Sequence, residues 1–245
     1  ERGFTVTVTA TATCGNLVVG SPGNGNLGVL TMSSNIALTV SGDLTVGGYG
    51  MSNRTGTINF ASGSSITTNN LILGGTGATP AAGIITMTNG GTLTVNGDIT
   101  VNTVSGNTWT RGTGTLVLGN TTTLPATIFT SFNNLTINSG ATVTSGVSFS
   151  VAGTMTVNGS FIPGATGHVI SGAGTLNGSG SIDVNLVSTS ALTTQYTITT
   201  RTLTNLTVDY SAAGNQSLAS STYGALTTSG SGTKTLLGGT TINNA

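Results

Sequence analysis

The chain has 245 residues, five Lys+Arg against five Asp+Glu, and a net charge of zero. Charged residues make up 4% of it, against about 25% in an ordinary domain, so its polar surface must come from Thr, Ser, Asn and Gly. With no basic stripe to neutralise phosphates, nucleic acid is excluded as a partner; with no apolar stretch near the ~18–20 residues of a span, membrane insertion is not expected.

Good helix formers are scarce, and 39 glycines interrupt the chain. Between them Thr and Val dominate, both β-branched and suited to strands. The expected class is all-β.

The first element is the longest alternation, Thr5 to Thr13. It reads as a strand with Val6, Val8, Ala10 and Ala12 on one face and Thr5, Thr7, Thr9, Thr11 and Thr13 on the other. A terminal strand frays unless something pairs with it. Residues 1–13 are therefore a candidate inter-subunit joint, carried by Thr5, Val6, Val8, Ala10 and Ala12. Cys14, the single cysteine, cannot form an internal disulfide. It reads as a small buried side chain, with an intermolecular disulfide as the alternative.

Residues 14–46 and 68–101 then repeat one pattern. Leu17 falls on Leu71, Leu38 on Leu93 and Asp43 on Asp98, an offset of about 55 residues. A shorter third copy spans residues 133–159, with Phe149 to Val157 falling on Leu93 to Val101. Between copies, Arg54-Thr55-Gly56-Thr57 resembles Arg111-Gly112-Thr113-Gly114. Asp43 and Asp98 should thus occupy equivalent turns, as should Arg54 and Arg111, and the four are candidate inter-repeat polar pairs. Within each copy Leu38, Val40, Leu44 and Val46, matched by Leu93, Val95, Ile99 and Val101, should point inward. Thr39, Thr45, Thr94 and Thr100 should point outward. Residues 14–160 read as a repeat-built stack, and residues 161–245 as degenerate repeats continuing it, with Asn134-Leu135-Thr136 echoed at Asn205-Leu206-Thr207 and Ala225-Leu226-Thr227.

A fixed period without helices suggests coils stacked on coils, because one short strand pair cannot bury its own apolar stripe. The expected fold is a parallel β-solenoid (β-helix), with two or three coils of ~18–27 residues in each ~55-residue repeat. The alternative is a string of small antiparallel β-sandwiches, which would need longer strands and larger core residues than a chain with 4% aromatics offers.

Residues 132–143 (Phe-Asn-Asn-Leu-Thr-Ile-Asn-Ser-Gly-Ala-Thr-Val) and 151–159 (Val-Ala-Gly-Thr-Met-Thr-Val-Asn-Gly) resemble the Thr/Gly/Asn-rich repeat regions of Bacteroidota-type secreted cell-surface proteins and similar autotransporter-like adhesins. The resemblance implies a bacterial protein exported to the cell surface or medium, often through a type IX system, with a role in adhesion, gliding or an extracellular fibre. It supplies no catalytic residues.

Candidate chemistry is thin. Solenoid hydrolases use paired carboxylates, but Asp43 and Asp98 follow Ser/Asn-Gly, a turn context, and Asp183 and Asp209 are isolated in sequence. His168, the single histidine, has no second His or Cys nearby for a metal site. Trp109 is either a sugar-stacking platform or the cap of a stretch of core. No cofactor and no catalysis are expected. The leading expectation is an extracellular structural protein that polymerises with copies of itself into a surface fibre or filament. The alternative is an adhesin that binds surface glycans or another cell; ice binding through Thr-x-Thr triplets ranks below both.

Overall fold

The structure, a computed structural model, describes residues 4–20, 27–49, 54–77, 79–164 and 167–243. It is a parallel β-solenoid. The chain forms two compact units, Glu1–Leu118 and Gly119–Ala245. Among the described residues no helix is long and apolar enough to cross a membrane.

In the first unit one sheet stacks Phe4–Val8, Gly28–Met32, Gly56–Asn59, Gly83–Thr86 and Thr108–Thr110. The other stacks Ala12–Cys14, Ala37–Val46, Ser65–Leu73, Thr92–Val95 and Thr115–Leu118, with Leu17–Val19 and Ile99–Val101 on the far ends of the two long strands. The pairings are parallel throughout, which excludes the sandwich alternative. Leu38 lies opposite Ile66, a step of 28 residues, and Ile66 opposite Leu93, a step of 27. The 55-residue sequence repeat is therefore two coils.

The core is built from columns of in-register apolar side chains. Leu30, Ile58 and Ile85 form one column; Leu38, Ile66, Leu93 and Leu116 form another. All of these are buried. Leu38, Val40, Leu44, Val46, Leu93, Val95 and Ile99 are buried as the alternation requires, while Val101 is half-buried. Thr39 and Thr100 are exposed and Thr94 half-exposed. Thr45 departs from the expectation and is buried, being flanked in register by the larger Val18 and Ile72. One core column holds a hydroxyl: Thr68 sits between Val40 and Val95. Its Oγ1 lies 3.1 Å from the Gly42 carbonyl and 2.9 Å from that of Asn70, so the buried polar group is satisfied at the point where the register between the two long strands shifts.

The second unit has tighter coils. Its largest sheet stacks Thr122–Leu124, Thr142–Ser145, Ser160–Ile162, Ser181–Val184, Thr207–Tyr210 and Ala225–Thr228. Val143 faces Phe161, a step of 18; Phe161 faces Ile182, a step of 21; Ile182 faces Val208, a step of 26; and Val208 faces Leu226, a step of 18. The 55-residue period accordingly ends here. The expected echo between Leu206 and Leu226 is out of register by two residues, since Leu226 stacks on Val208. The long step contains the short helix Ala191–Gln195. The core of this unit is aromatic: Phe129, Phe132, Phe149, Phe161 and Tyr196 form a continuous row with centroid separations of 6.3, 5.2, 5.8 and 6.4 Å, each ring buried.

Candidate assembly surface and polar ladders

The expected N-terminal strand is broken. Residues 4–14 bend near Ala10 into Phe4–Val8 and Ala12–Cys14, which belong to different sheets. Val6 and Val8 therefore do not share a face with Ala10 and Ala12, because a coil corner separates them. Both pieces, with Leu17–Val19, are the first coil of the solenoid, and each pairs on one edge only. Val6 heads the inward column that continues through Leu30 and Ile58. Exposure along that column falls from 60% at Val6 to 5% at Leu30 and 0% at Ile58. Val6 is thus the outermost member of that column among the described residues. Phe4 and Val18 join it around an apolar cavity that Leu17, Val19 and Leu30 also line. Thr5 and Thr7 face outward, opposite Val29 and Thr31. Cys14 is a half-buried free thiol opposite Val40.

In the second unit the strands Ala225–Thr228, Lys234–Leu236 and Thr241–Ile242 likewise end their sheets, and Leu236, Leu237 and Ile242 are exposed.

The candidate polar pairs resolve differently from expectation. Asp43 and Asp98 do not share a turn, since Asp43 lies within the strand Ala37–Val46 and Asp98 between Thr92–Val95 and Ile99–Val101, but they stand in one column of the stack, because Leu44 and Ile99, the residues after them, both pair with Leu71. Their partners are asparagines. The Asp43 N–H donates to Asn16 Oδ1 (2.9 Å), Asn70 Nδ2 donates to Asp43 Oδ1 (2.8 Å), and the Asp98 N–H donates to Asn70 Oδ1 (2.9 Å). Asn16, Asp43, Asn70 and Asp98 thus form one ladder along a corner of successive coils. In the second unit Thr154 N–H donates to Asn134 Oδ1 in the same way (2.9 Å). Each residue that donates its N–H follows a glycine, Gly42, Gly97 or Gly153, at which a Cβ would collide with the asparagine Oδ1 below. The signal is present in the sequence as Asn-Leu one coil before Gly-Asp or Gly-Thr, a step of 27, 28 or 20 residues that falls inside one 55-residue repeat.

Arg54 and Arg111 are not equivalent. Arg54 precedes the strand Gly56–Asn59, whereas Arg111 follows Thr108–Thr110 at the position corresponding to Phe60. Arg54 is buried and its Nη1 donates to the Tyr49 carbonyl. The short Arg/Gly/Thr likeness was a coincidence of strand entry and strand exit. Trp109 lies opposite Ile85 and so extends the inward Leu30–Ile58–Ile85 column, half-buried.

Two groups that are isolated in sequence are brought together. Asp183 and Asp209 pair directly on adjacent strands. The Asp183 carboxyl is held above the usual aspartate range, first by burial and also by the Asp209 charge, with the Ser211 hydroxyl and Val184 N–H acting in the opposite direction. Asp209 Oδ2 accepts from the Ser229 hydroxyl at 2.7 Å. His168 meets Ser145, with Nδ1 3.0 Å from the Ser145 carbonyl oxygen and 3.3 Å from its Oγ. An Nδ1–H that donates to a carbonyl cannot also take a proton from the hydroxyl, so this pair is arranged as a structural clamp on the loop at Gly164, whose N–H donates to Ser145 Oγ (3.2 Å). Among the described residues no three His, Cys, Asp or Glu side chains converge.

The chain matches no family model, no curated protein and no solved structure.

Proposed function

We propose that this protein is an extracellular structural subunit of a surface fibre, which grows by adding the first coil of one copy to the last coil of another, and that it performs no catalysis. One observation carries the reading. Of the seven large apolar side chains exposed among the described residues, six (Phe4, Val6, Val18, Leu236, Leu237 and Ile242) lie on the first and last coils. Among the described residues the outer edges of both coils carry no strand partner, and such edges template further strands. Parallel strands have two non-equivalent edges, so joining unlike ends continues the parallel ladder, a heterologous contact that propagates without closing. The Thr- and Asn-rich composition and the resemblance to secreted surface repeats support placement outside the cell.

The test is electron microscopy of purified protein beside a variant lacking residues 1–13. Long fibres from the intact chain and none from the truncated, still folded chain are expected. Fibres of equal length and stability from both would remove the first coil as the joint, and a monodisperse intact chain at high concentration would remove the fibre itself.

A further inference from the structure

The second unit contains one place where the solenoid breaks its own pattern. The column Leu135, Met155 and Leu176 continues in register to Arg201. Three buried apolar side chains are followed by a guanidinium where the next apolar residue belongs. The interruption coincides with the lengthened coil that holds the helix Ala191–Gln195. Local departures from an otherwise consistent pattern concentrate at functional sites.

Arg201 is held by one end. Its Nη1 donates to the carbonyls of Tyr196 (2.8 Å) and Ile198 (2.9 Å). Nε and Nη2 meet no protein acceptor among the described residues, and together they form the side-on edge of the guanidinium fork. That edge matches the two oxygens of a carboxylate. Arg201 lines a cavity of about 150 Å³ with the hydroxyl residues Thr193, Ser220 and Ser221 and the apolar Leu192 and Leu203. A charge fixed on one side and hydroxyls around it, over a floor of the buried Leu192 and Leu203, are groups that would recognise an acidic sugar: the carboxylate on the guanidinium and the ring hydroxyls on Ser and Thr.

We propose that this cavity binds one uronic-acid residue of an acidic polysaccharide, with Arg201 as the carboxylate anchor. The site shares no residue with the stacking joint and does not depend on fibre formation. It gives the subunit a contact to an anionic glycan matrix.

The test is ligand-observed NMR and calorimetry with D-glucuronate as probe, against D-glucose and acetate. Glucuronate should bind, and glucose and acetate should each bind about tenfold more weakly or worse, because each lacks half of the recognised groups. Arg201→Gln should abolish binding. Because Arg201 also holds two carbonyls, Ser220→Leu is the second variant: it fills the cavity without touching those bonds and should abolish binding with an unchanged melting temperature. Absence of glucuronate binding, equal binding of glucose, equal binding of acetate (a simple anion site), or undiminished binding in a folded Arg201→Gln or Ser220→Leu protein would overturn the proposal.

Discussion

The ladder of Asn16, Asp43, Asn70 and Asp98 shows how single residues join one coil to the next without ion pairs. A side-chain oxygen that accepts a backbone N–H from the neighbouring coil satisfies a corner where the strand ladder is interrupted, and leaving such a group unmet costs about 1–3 kcal/mol. Asn70→Ala, which removes bonds to both Asp43 and Asp98, should destabilise by about that amount in urea denaturation. Gly97→Ala should cost about 1–3 kcal/mol by overpacking against Asn70 Oδ1. Asp183 makes a pH-dependent prediction. Its carboxyl is raised in the folded state, chiefly by burial, so the folded chain holds that proton more tightly than the unfolded chain. Stability contributed by Asp183 is then greatest below the unfolded value of about 3.9, falls as pH rises through the folded value, and stays reduced above it. Asp183→Asn should raise the melting temperature at neutral pH, and the gain should vanish in acid. A constant gain at every pH would disprove the assignment.

At the scale of elements, the two units fill their cores differently. Aliphatic columns run through both units, Leu135, Met155 and Leu176 in the second, and the second adds a row of five rings, stacked at Phe129–Phe132 and edge to face beyond it. Phe149, between Phe132 and Phe161 at 5.2 and 5.8 Å, is 2% exposed. Phe149→Ala should cost about 3–5 kcal/mol, while its outward neighbour Ser150→Ala should stay within about 0.5 kcal/mol; chemical denaturation of both variants tests the inward–outward alternation of one strand. Val95→Asp, an unpaired charge in a column that is wholly buried, should cost about 3 kcal/mol or more. Burial raises the phenol groups of Tyr196, Tyr210 and Tyr223. Above about pH 10 the unfolded chain loses phenolic protons that the folded chain keeps, so stability should fall with rising pH. Phenolate absorbance from these three should appear only as the fold is lost.

At the scale of the molecule, a chain with 4% charged residues has little electrostatic repulsion to keep copies apart. In the proposed fibre, the apolar surface collected on the first and last described coils is where they would meet. Val6→Glu places a charge at the head of an inward column, in the least covered coil. It should block fibre growth while leaving the melting temperature of the isolated subunit nearly unchanged. Sedimentation and electron microscopy read the first effect and calorimetry the second; fibres from the Val6→Glu protein would place the joint elsewhere.

Alternation, glycine punctuation and the 55-residue period were sufficient to indicate a stacked parallel β architecture and to place inward the side chains of Leu38, Val40, Leu44, Val46, Leu93, Val95 and Ile99. Inward and outward positions follow directly from the two-residue strand period, and a repeat that cannot bury itself must stack. The number of coils per repeat was not legible, because successive coils need share only an in-register apolar column and not a sequence. Asn16 and Asn70 each meet the aspartate of the following coil, a relation that a 55-residue offset does not contain, and Arg54 and Arg111 share a short pattern but not a place in the coil. The break of the first strand at Ala10 depends on where the chain must turn to close a coil. The meetings of Asp183 with Asp209 and of His168 with Ser145 depend on coil steps of 26 and 18–21 residues, lengths set by how the aromatic core packs. No sequence pattern marks Arg201; only the tertiary register sets it at the end of a column of Leu and Met, where its charge lines a cavity.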